Sequence, residues 1–286
     1  MSRKSAYPML CGLCADQPTK LSQAMHNAAF RAAGLNAFYV AFDTSDTEGA
    51  ITAMRTLGIR GYSMTIPHKE ASLSLVDELS PEVLAVGALN TIVNDQGKLC
   101  GFNTDIDGIV RAFGENKVVV RHRRALVLGA GGAARATVYA LMQLGVSEIV
   151  VSNRTDSRAE QVVVELASAV QSKRGMVLSA LPYSQLRQQL SSFDVLVNTT
   201  PVGSHLQPEG QFPFLLSELE SRQIVFDAVT RDTALLGAAR EKGCCTIAGV
   251  RMLLYQAVRQ FELFTGLSEA PVAQMERALF DELQLK

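Results

Sequence analysis

Two residues with complementary acid–base chemistry, Lys69 and Asp105, follow strand-like segments in the first part of the chain. Lys69 stands two residues after Pro67, which ends the strand-like stretch GYSMTI (61–66) because proline donates no hydrogen bond to a sheet. Asp105 closes the segment GFNTD (101–105). Ligands of open α/β sheets bind beyond the carboxyl ends of the strands, so a lysine beside an acid there could relay a proton and stabilise a developing alkoxide. Either residue alone would be typical of an ordinary surface charge.

A glycine-rich turn over residues 129–134 has the pattern G-x-G-x-x-A, directly after the apolar strand ALVL and at the start of a helix. In such a turn the first glycine allows the tight bend, the second lets the backbone approach a pyrophosphate, and the helix N-terminus supplies amide donors. Because strand, turn, helix and a second strand follow in register, the pattern favours a dinucleotide site over a turn that binds nothing. The residues assigned to the cofactor here are Gly129, Ala130, Gly131, Gly132 and Ala133.

The end of the next strand indicates which dinucleotide is bound. NAD sites usually carry an acid there, about 20 residues on, for the ribose diol. This chain instead has Asn153, Arg154 and Thr155, with Arg158 one turn later, and arginine matches a 2′-phosphate in geometry and charge. Asp156 is nearby, but as a predicted helix N-cap it would be held by backbone donors. The segment favours NADP over NAD, although Arg158 by itself could equally lie on a solvated helix face.

Strand-like and helix-like segments alternate along the chain, which predicts α/β units around parallel sheets. The predicted strands are MLCGLC (9–14), AFYVAF (37–42), GYSMTI (61–66), ALVL (125–128), EIVVSNRT (148–155), DVLVNTTP (194–201), QIVFDAV (223–229) and TIAGV (246–250). The predicted helices are 22–35, 48–58, one opening at the glycine turn, 157–171, one from about Met252 to Thr265, and a short terminal helix. A hairpin around Gln96-Gly97 is expected between residues 89–95 and 98–103. We place one domain boundary near residue 107 and a return to the first domain near 248.

Composition excludes several classes of protein. The 286 residues are 48% hydrophobic, and 27 basic against 28 acidic residues leave a net charge of −1. That balance gives no general electrostatic case for binding nucleic acid or an anionic membrane. No apolar run is long enough to span a bilayer, and no long apolar segment follows Ser2-Arg3-Lys4. A soluble cytoplasmic protein without a secretory signal is therefore expected.

The five cysteines are an odd number, as expected of reduced thiols in a cytosolic chain. Cys11 and Cys14 form a CxxC pair, but they lie on a predicted strand rather than at a helix N-terminus, and no second pair is present to complete a zinc site. Buried thiols are therefore favoured over a redox or metal site, and no metal is expected.

Several segments together resemble the shikimate dehydrogenase family. They are SMTIPHK (63–69), GALNTIV (87–93), GFNTD (101–105), GAGGAARA (129–136), NRT (153–155), VNTTPVG (197–203) and GVRMLLYQAVRQFELFTG (249–266). The resemblance covers nearly the whole chain in order. It implies an α/β fold with an N-terminal substrate-binding domain (1–107) completed by C-terminal helices (248–286), and a Rossmann-like NADP-binding domain (108–247).

The resemblance also implies an activity and site roles, carried over position by position. The activity is the reversible NADP-dependent reduction of 3-dehydroshikimate to shikimate. Lys69 would be the catalytic lysine that gives a proton to the carbonyl oxygen, with Asp105 as its partner. Ser22 matches one of two serines that hold the substrate carboxylate in the family. Substrate hydroxyls would be bound by Thr65, Asn90 and Gln256.

The chain departs from the family pattern at two positions of the expected substrate pocket. Lys20 stands where the family usually has the other carboxylate-binding serine. It could hold the carboxylate as an ion pair, or it could bend into solvent. Thr230 stands where the family tends to have a tyrosine that touches substrate.

These departures leave the small cyclic hydroxy-carboxylate substrate open among shikimate, quinate and a close analogue such as aminoshikimate. The alternative to an enzyme is a catalytically retired NADP-binding sensor or regulator that keeps the fold. The intact Lys69 and Asp105 argue against that alternative. The expected assembly is a monomer or a homodimer.

Overall fold

Two compact units divide the chain in the computed structural model of the protein. Unit 1 contains Met1–Thr104 and Gln256–Lys286, and unit 2 contains Asp105–Tyr255. The described residues are 7–65, 67–171, 175–204, 207–208 and 210–284. The predicted limits of the substrate-binding and NADP-binding domains, near residues 107 and 248, stay a prediction.

Unit 1 is built on a mixed six-stranded sheet. Its strands are β1 (Met9–Ala15), β2 (Ala37–Asp43), β3 (Gly61–Met64), β4 (Glu78–Leu79), β5 (Thr91–Asp95) and β6 (Lys98–Phe102). Their spatial order is β2-β1-β3-β5-β6-β4, and β5 runs antiparallel to both of its neighbours. The predicted hairpin is confirmed as the β5–β6 pair. The carboxyl ends of β1, β3 and β6 and the start of β5 therefore meet at one edge of the sheet.

Unit 2 is built on a second six-stranded sheet in which every pair of neighbours is parallel. Its strands are β7 (Arg124–Leu128), β8 (Glu148–Ser152), β9 (Val177–Ala180), β10 (Val195–Asn198), β11 (Ile224–Asp227) and β12 (Cys245–Ala248). Their spatial order is β12-β11-β10-β7-β8-β9, the doubly wound order, which reverses direction between β7 and β10. In such sheets the ligand crevice opens at that reversal. The sequence reading missed β9, which is short and only partly buried.

Helices connect the strands of both sheets. They are α1 (Leu21–Ala32), α2 (Thr47–Leu57), α3 (His68–Ala71), α4 (Pro81–Val86), α5 (Thr104–Glu115), α6 (Gly132–Gln143), α7 (Asp156–Gln171), α8 (Leu186–Gln189), α9 (Ala234–Glu241), α10 (Gly249–Thr265) and α11 (Val272–Gln284). Short 3-10 helices cover Tyr183–Gln185, Leu190–Ser192 and Leu216–Glu218. Within the described part of the chain, no helix is long and apolar enough to cross a bilayer.

Several predicted boundaries differ from the structure: for example, the predicted strands 148–155 and 194–201 end at Ser152 and Asn198. The predicted strand 246–250 ends at Ala248, and α10 begins at once with Gly249, earlier than expected. The predicted strand 61–66 ends as β3 at Met64, and Ile66 lies outside the described residues. Asp156 is the first residue of α7 rather than its N-cap, and its carboxylate accepts from the backbone N–H of Tyr183 at 2.9 Å.

Gly61 lets α10 lie close against the sheet of unit 1. A Cβ atom built on Gly61 would come within 2.2 Å of the ring of Phe264, near the end of α10. Arg60, one residue earlier, donates through Nε to the backbone oxygen of Phe264 at 2.9 Å. The absence of a side chain at Gly61 and the hydrogen bond from Arg60 thus hold the end of α10 against β3.

The CxxC pair is buried within β1, as expected. Cys11 and Cys14 are both fully buried and unbonded, and burial raises the pKa of each thiol to about 12. The reactive thiolate form is therefore suppressed at neutral pH, which agrees with a packing role.

His26 on α1 is fully enclosed among aromatic rings. It stacks on Tyr39 with ring centroids 4.3 Å apart and lies against Phe30 and Phe264. Burial lowers the pKa of His26 to about 4, although a hydrogen bond with Gln260 acts in the opposite direction. The imidazole is therefore neutral at pH 7.

The depressed pKa of His26 predicts a loss of stability in mild acid. Between about pH 6.5, the ordinary pKa of histidine, and about pH 4, the unfolded chain binds a proton that the folded protein does not. The free energy of unfolding should therefore fall as the pH falls through that window, by up to about 3 kcal/mol from this group. Denaturant unfolding of wild type and His26→Gln at a series of pH values measures the difference.

The control for this experiment is His122→Gln at an exposed histidine. We expect the slope of stability against pH between 6.5 and 4 to become shallower by about one proton in His26→Gln only. Equal slopes in all three proteins would exclude His26 as the titrating group.

Candidate active site

Lys69 lies on the short helix α3, directly beyond the carboxyl end of β3. Thr65 and Lys69 are both partly buried. Two backbone hydrogen bonds bring this segment beside Asn90: Met64 N–H donates to Asn90 O at 2.7 Å, and Leu89 N–H donates to Lys69 O at 3.0 Å. Three of the predicted site residues, Thr65, Lys69 and Asn90, are thus brought together at one sheet edge.

His68, the first residue of α3, is anchored through its side chain. It is fully buried, with Nε2 2.9 Å from Thr44 O and Nδ1 2.7 Å from Thr47 Oγ1. A carbonyl oxygen can only accept, so Nε2 is the donor, and in the neutral ring Nδ1 accepts from the Thr47 hydroxyl. Both ring nitrogens are used to anchor the residue that precedes Lys69.

Asn90 is held by the turn that follows β6. Its Oδ1 accepts from Thr104 N–H at 2.8 Å and from Thr91 Oγ1 at 2.8 Å, while its Nδ2 donates to Thr104 Oγ1 at 3.0 Å. The Asn90 and Thr104 side chains are almost entirely buried. Asp105 follows Thr104 in the chain as the first residue of unit 2, in the first turn of α5. A helix N-terminus stabilises a carboxylate at that position.

Gln256 and Gln260 lie one turn apart on α10, so they share one face of the helix. Both are buried. Gln260 accepts from Ser63 Oγ at 2.8 Å and donates through Nε2 to Thr91 Oγ1 at 3.0 Å. The sequence analysis named Gln256 but missed Gln260, Thr91 and Ser63. The available signal was the four-residue spacing of the two glutamines.

Lys20 and Ser22 lie at the N-terminus of α1, the helix that follows β1. Lys20 is exposed and Ser22 is buried in the first turn. Because β1 runs parallel to β3, this helix starts beyond the same sheet edge as Thr65. A helix N-terminus attracts anions through its unpaired N–H groups and its dipole. The arrangement suits a carboxylate.

The glycine turn of unit 2 leaves room for the close approach of a ligand. Gly129 follows β7 with φ +112, and a Cβ there would come within 2.5 Å of Thr199 Oγ1. Gly131 is the N-cap of α6, and a Cβ atom added to it would meet nothing within 4 Å. The N–H groups of Gly132 and Ala133 begin the helix beside that open space. These features fit a dinucleotide pyrophosphate.

The segment after β8 presents the predicted 2′-phosphate residues. Asn153 Nδ2 donates to Thr155 O at 3.0 Å and Arg158 N–H donates to Thr155 O at 3.0 Å, which shapes the turn. The side chains of Arg154 and Arg158 are exposed. Burial raises the pKa of Tyr183 and the charge of Arg154 lowers it, so the guanidinium is near that ring. Two exposed cations at this position suit a phosphate.

A buried polar cluster shapes the loops that follow β10 and β11. Asp227 accepts from Asn198 Nδ2 at 2.9 Å, from Val229 N–H at 3.1 Å and from Thr233 Oγ1 at 2.7 Å. Burial raises the pKa of Asp227, against these three hydrogen bonds. Asn198 Oδ1 in turn accepts from Thr200 N–H at 3.0 Å. These buried hydrogen bonds hold the loop that follows β10, beside Gly129. Thr230, in the loop that follows β11, is partly buried.

A cavity of about 450 Å³ lies elsewhere in unit 2, lined by residues 202–203, 208, 210–212, 214–216 and 231–235. None of the predicted site residues lines it. Its walls contain the rings of Phe212 and Phe214. Arg231 lines this cavity, whereas the glycine turn, Arg154 and Arg158 do not.

Three family profiles match the chain in order. Residues 18–92 match the shikimate dehydrogenase substrate binding domain, residues 113–240 match shikimate / quinate 5-dehydrogenase, and residues 249–280 match the shikimate 5′-dehydrogenase C-terminal domain.

Individual relatives agree with the profiles. A shikimate dehydrogenase (NADP(+)) of Methanopyrus kandleri is 42% identical over 271 residues, which cover 92% of this chain and 92% of that protein. Shikimate 5-dehydrogenase from Thermus thermophilus, solved with NADP(H) and shikimate, is 33% identical with a TM-score of 0.83, over 96% of this chain and 99% of that one. Quinate dehydrogenase from Corynebacterium glutamicum, solved with NAD, is 32% identical with a TM-score of 0.88, also over 96% and 99%.

Proposed function

The chain belongs to the shikimate dehydrogenase family, and we propose that it catalyses the reversible NADP-dependent oxidation of shikimate to 3-dehydroshikimate, or of a close analogue such as quinate. The oxidoreductase class, the use of NADP and the α/β fold expected from the sequence are confirmed by this membership. The retired-sensor alternative gains no support. The site residues, the cytoplasmic location and the assembly as monomer or homodimer stay predictions.

The observation that carries the proposal is the grouping of Thr65, Lys69 and Asn90 at one sheet edge of unit 1. An amine, a hydroxyl and an amide at that edge supply the donors that a polyhydroxylated ring needs. The N-terminus of α1, with Lys20 and Ser22, lies beyond the same edge and suits the carboxylate. A cyclic hydroxy-carboxylate therefore matches the chemistry of the whole edge.

The proposed proton path ends at Lys69. In the reducing direction its ammonium group gives a proton to the carbonyl oxygen, and in the oxidising direction the amine takes the proton of the hydroxyl group. Asp105 orients and electrostatically supports Lys69. Asn90, held by Thr104 and Thr91, binds a substrate hydroxyl.

The cofactor is held by unit 2 in this proposal. When bound, NADP(H) supplies or accepts the hydride. The backbone of Gly129–Ala133 receives the pyrophosphate at the N-terminus of α6, and Asn153 and Thr155 shape the turn that presents Arg154. Arg154 and Arg158 hold the 2′-phosphate through charge-assisted hydrogen bonds.

The proposed function is tested by a turnover screen of shikimate, quinate and aminoshikimate, each with NADP and with NAD. We expect shikimate with NADP to give the highest kcat/KM. Tight NADP binding without turnover of any of the three acids would support the sensor instead. Faster turnover of quinate would keep the chemistry and change the substrate.

Lys20 provides a sharper test of how the carboxylate is held. At about 4 Å and an effective dielectric near 20, an ion pair attracts by about 4 kcal/mol before desolvation and side-chain ordering reduce it. Lys20→Met should therefore raise KM for shikimate at least about tenfold, with a smaller effect on kcat. The wild-type KM should also rise with salt, because Lys20 is exposed.

The matched control is Lys242→Met, at an exposed lysine that ends α9. It should leave KM unchanged. An unchanged KM in Lys20→Met as well would place the lysine in solvent and leave Ser22 and the N-terminus of α1 as the carboxylate site.

A further inference from the structure

A continuous line of buried polar side chains crosses unit 1 beneath Asn90. It joins residues from β2, β3, β5, α5 and α10 that are far apart in the sequence. Its members are Tyr39, Ser63, Gln260, Thr91, Asn90 and Thr104, each at most 5% exposed. Each buried hydroxyl or amide in such a line needs a hydrogen-bond partner, because a buried group without one lowers the stability of the fold. A donor must therefore face an acceptor at every step.

Two backbone groups fix the orientation of the two amides in the line. Gln260 Nε2 lies 3.4 Å from Asn90 O, which can only accept, so that end of the amide is its NH₂ group. Thr104 N–H can only donate, so the atom of Asn90 that it meets is Oδ1. The amide orientations of Gln260 and Asn90 are therefore set by chemistry.

The hydroxyl groups then donate in one direction along the line. Tyr39 donates to Ser63 at 2.7 Å, and Ser63 donates to Gln260 Oε1 at 2.8 Å. Gln260 Nε2 donates to Thr91 Oγ1 at 3.0 Å, and Thr91 donates to Asn90 Oδ1 at 2.8 Å. Burial raises the pKa of Tyr39, so its phenol keeps the proton it donates. Gln260 thus accepts a hydrogen bond through Oε1 and donates one through Nε2.

We propose that Gln260 is a positioning residue that acts through Thr91. It directs the Thr91 hydroxyl onto Asn90 Oδ1 and so reinforces the amide orientation that Thr104 N–H selects. With Thr91 already accepting from Gln260, its own proton is directed onto Asn90 Oδ1. Oδ1 is thereby kept on the Thr91 hydroxyl and the Thr104 N–H, and Nδ2 is kept on Thr104 Oγ1. This inference rests on the proposed function, because it deepens the substrate-binding role given to Asn90.

Replacing Gln260 with methionine removes both polar ends of the amide while keeping the length of the side chain. Without the Gln260 NH₂ group, the Thr91 proton is no longer directed to Asn90 Oδ1 alone and can also be donated to Thr104 Oγ1, 3.3 Å away. The groups that face this position are His26, with Nε2 3.4 Å from Gln260 Oε1, the backbone oxygen of Asn90, and the hydroxyls of Ser63 and Thr91. Thr91→Val removes the linking hydroxyl at constant volume, and Thr91→Ser restores it.

A double-mutant cycle with Asn90→Ala tests the proposal. We expect Gln260→Met and Thr91→Val each to lower kcat/KM for shikimate about five- to tenfold, as for one lost hydrogen bond. Thr91→Ser should stay within about twofold of wild type. In the Asn90→Ala background, Gln260→Met and Thr91→Val should change kcat/KM by less than about twofold, because their effect passes through Asn90. Equal losses in both backgrounds would overturn the proposal and indicate general destabilisation.

Two controls separate this outcome from misfolding and from failure of the proposed function. Gln274→Met, at an exposed glutamine of α11, should leave kcat/KM unchanged, and NADP affinity should be the same in all variants. The ¹⁵N side-chain amide signals of Asn90, assigned by their loss in Asn90→Ala, give a readout that needs no turnover. They should shift in Gln260→Met and stay near wild type in Thr91→Ser. Unshifted signals would overturn the positioning role even in an active enzyme, whereas shifted signals without shikimate turnover would reject the proposed function alone.

Discussion

Lys69→Ala should lower kcat for shikimate oxidation by roughly 10²–10⁴-fold, the range usual for loss of a general acid–base group. KM should change little, because the proton transfer is completed only in the transition state. The position of Lys69 beyond β3, with His68 anchored at both ring nitrogens, makes a compensating backbone shift difficult. Steady-state kinetics at saturating NADP measure the effect.

The matched control is Lys242→Ala, which should keep wild-type kcat. Asp105→Asn should also lose activity, because the amide keeps the size of the side chain and removes the charge that we propose supports Lys69. More than about a third of wild-type kcat in Lys69→Ala would remove this lysine from the proton path. An unchanged kcat in Asp105→Asn would remove the aspartate alone.

Arg154→Ala should weaken NADP(H) binding by roughly ten- to a hundredfold and leave NAD(H) nearly unchanged. Only NADP(H) has the 2′-phosphate, and a hydrogen bond to a charged group contributes about 1.5–3 kcal/mol. The Arg154 side chain is exposed at the turn after β8, so its loss should not disturb the packing of unit 2. Fluorescence titration with each reduced cofactor gives the two dissociation constants.

Arg277→Ala, at an exposed arginine on α11, is the control for a general change in surface charge. Arg158→Ala shows whether the second arginine of the segment takes part. Equal losses of NADPH and NADH affinity in Arg154→Ala would mean that the residue supports the adenine or the turn instead of the phosphate.

The local features of this protein were predictable from the sequence because each is encoded within a short stretch. The strand, glycine turn and helix of residues 125–145 occur together in the chain, and the structure contains them as β7, Gly129–Gly131 and α6. The hairpin of β5 and β6 is encoded by two apolar runs on either side of Gln96-Gly97. Burial of Cys11 and Cys14 followed from their place in an apolar strand.

Boundaries and weak elements were harder to predict. β9 has only four residues and is half-exposed, so its apolar signal is slight, and pairing with β8 is what makes it a strand. β12 ends at Ala248, where its pairing with β11 stops, and α10 begins at the next residue, Gly249. Neither fact can be derived from local propensity.

The sequence by itself determined the family, the cofactor type and the residues whose chemistry suits the reaction, since motifs are short and their side chains are specific. The tertiary structure decided how the polar groups beneath Asn90 are paired. Tyr39, Ser63, Thr91 and Gln260 come from four separate elements, and nothing in their local sequence shows that they meet. They meet because β3 pairs with β5 and α10 lies across Gly61, and burial then obliges every hydroxyl and amide to find a partner.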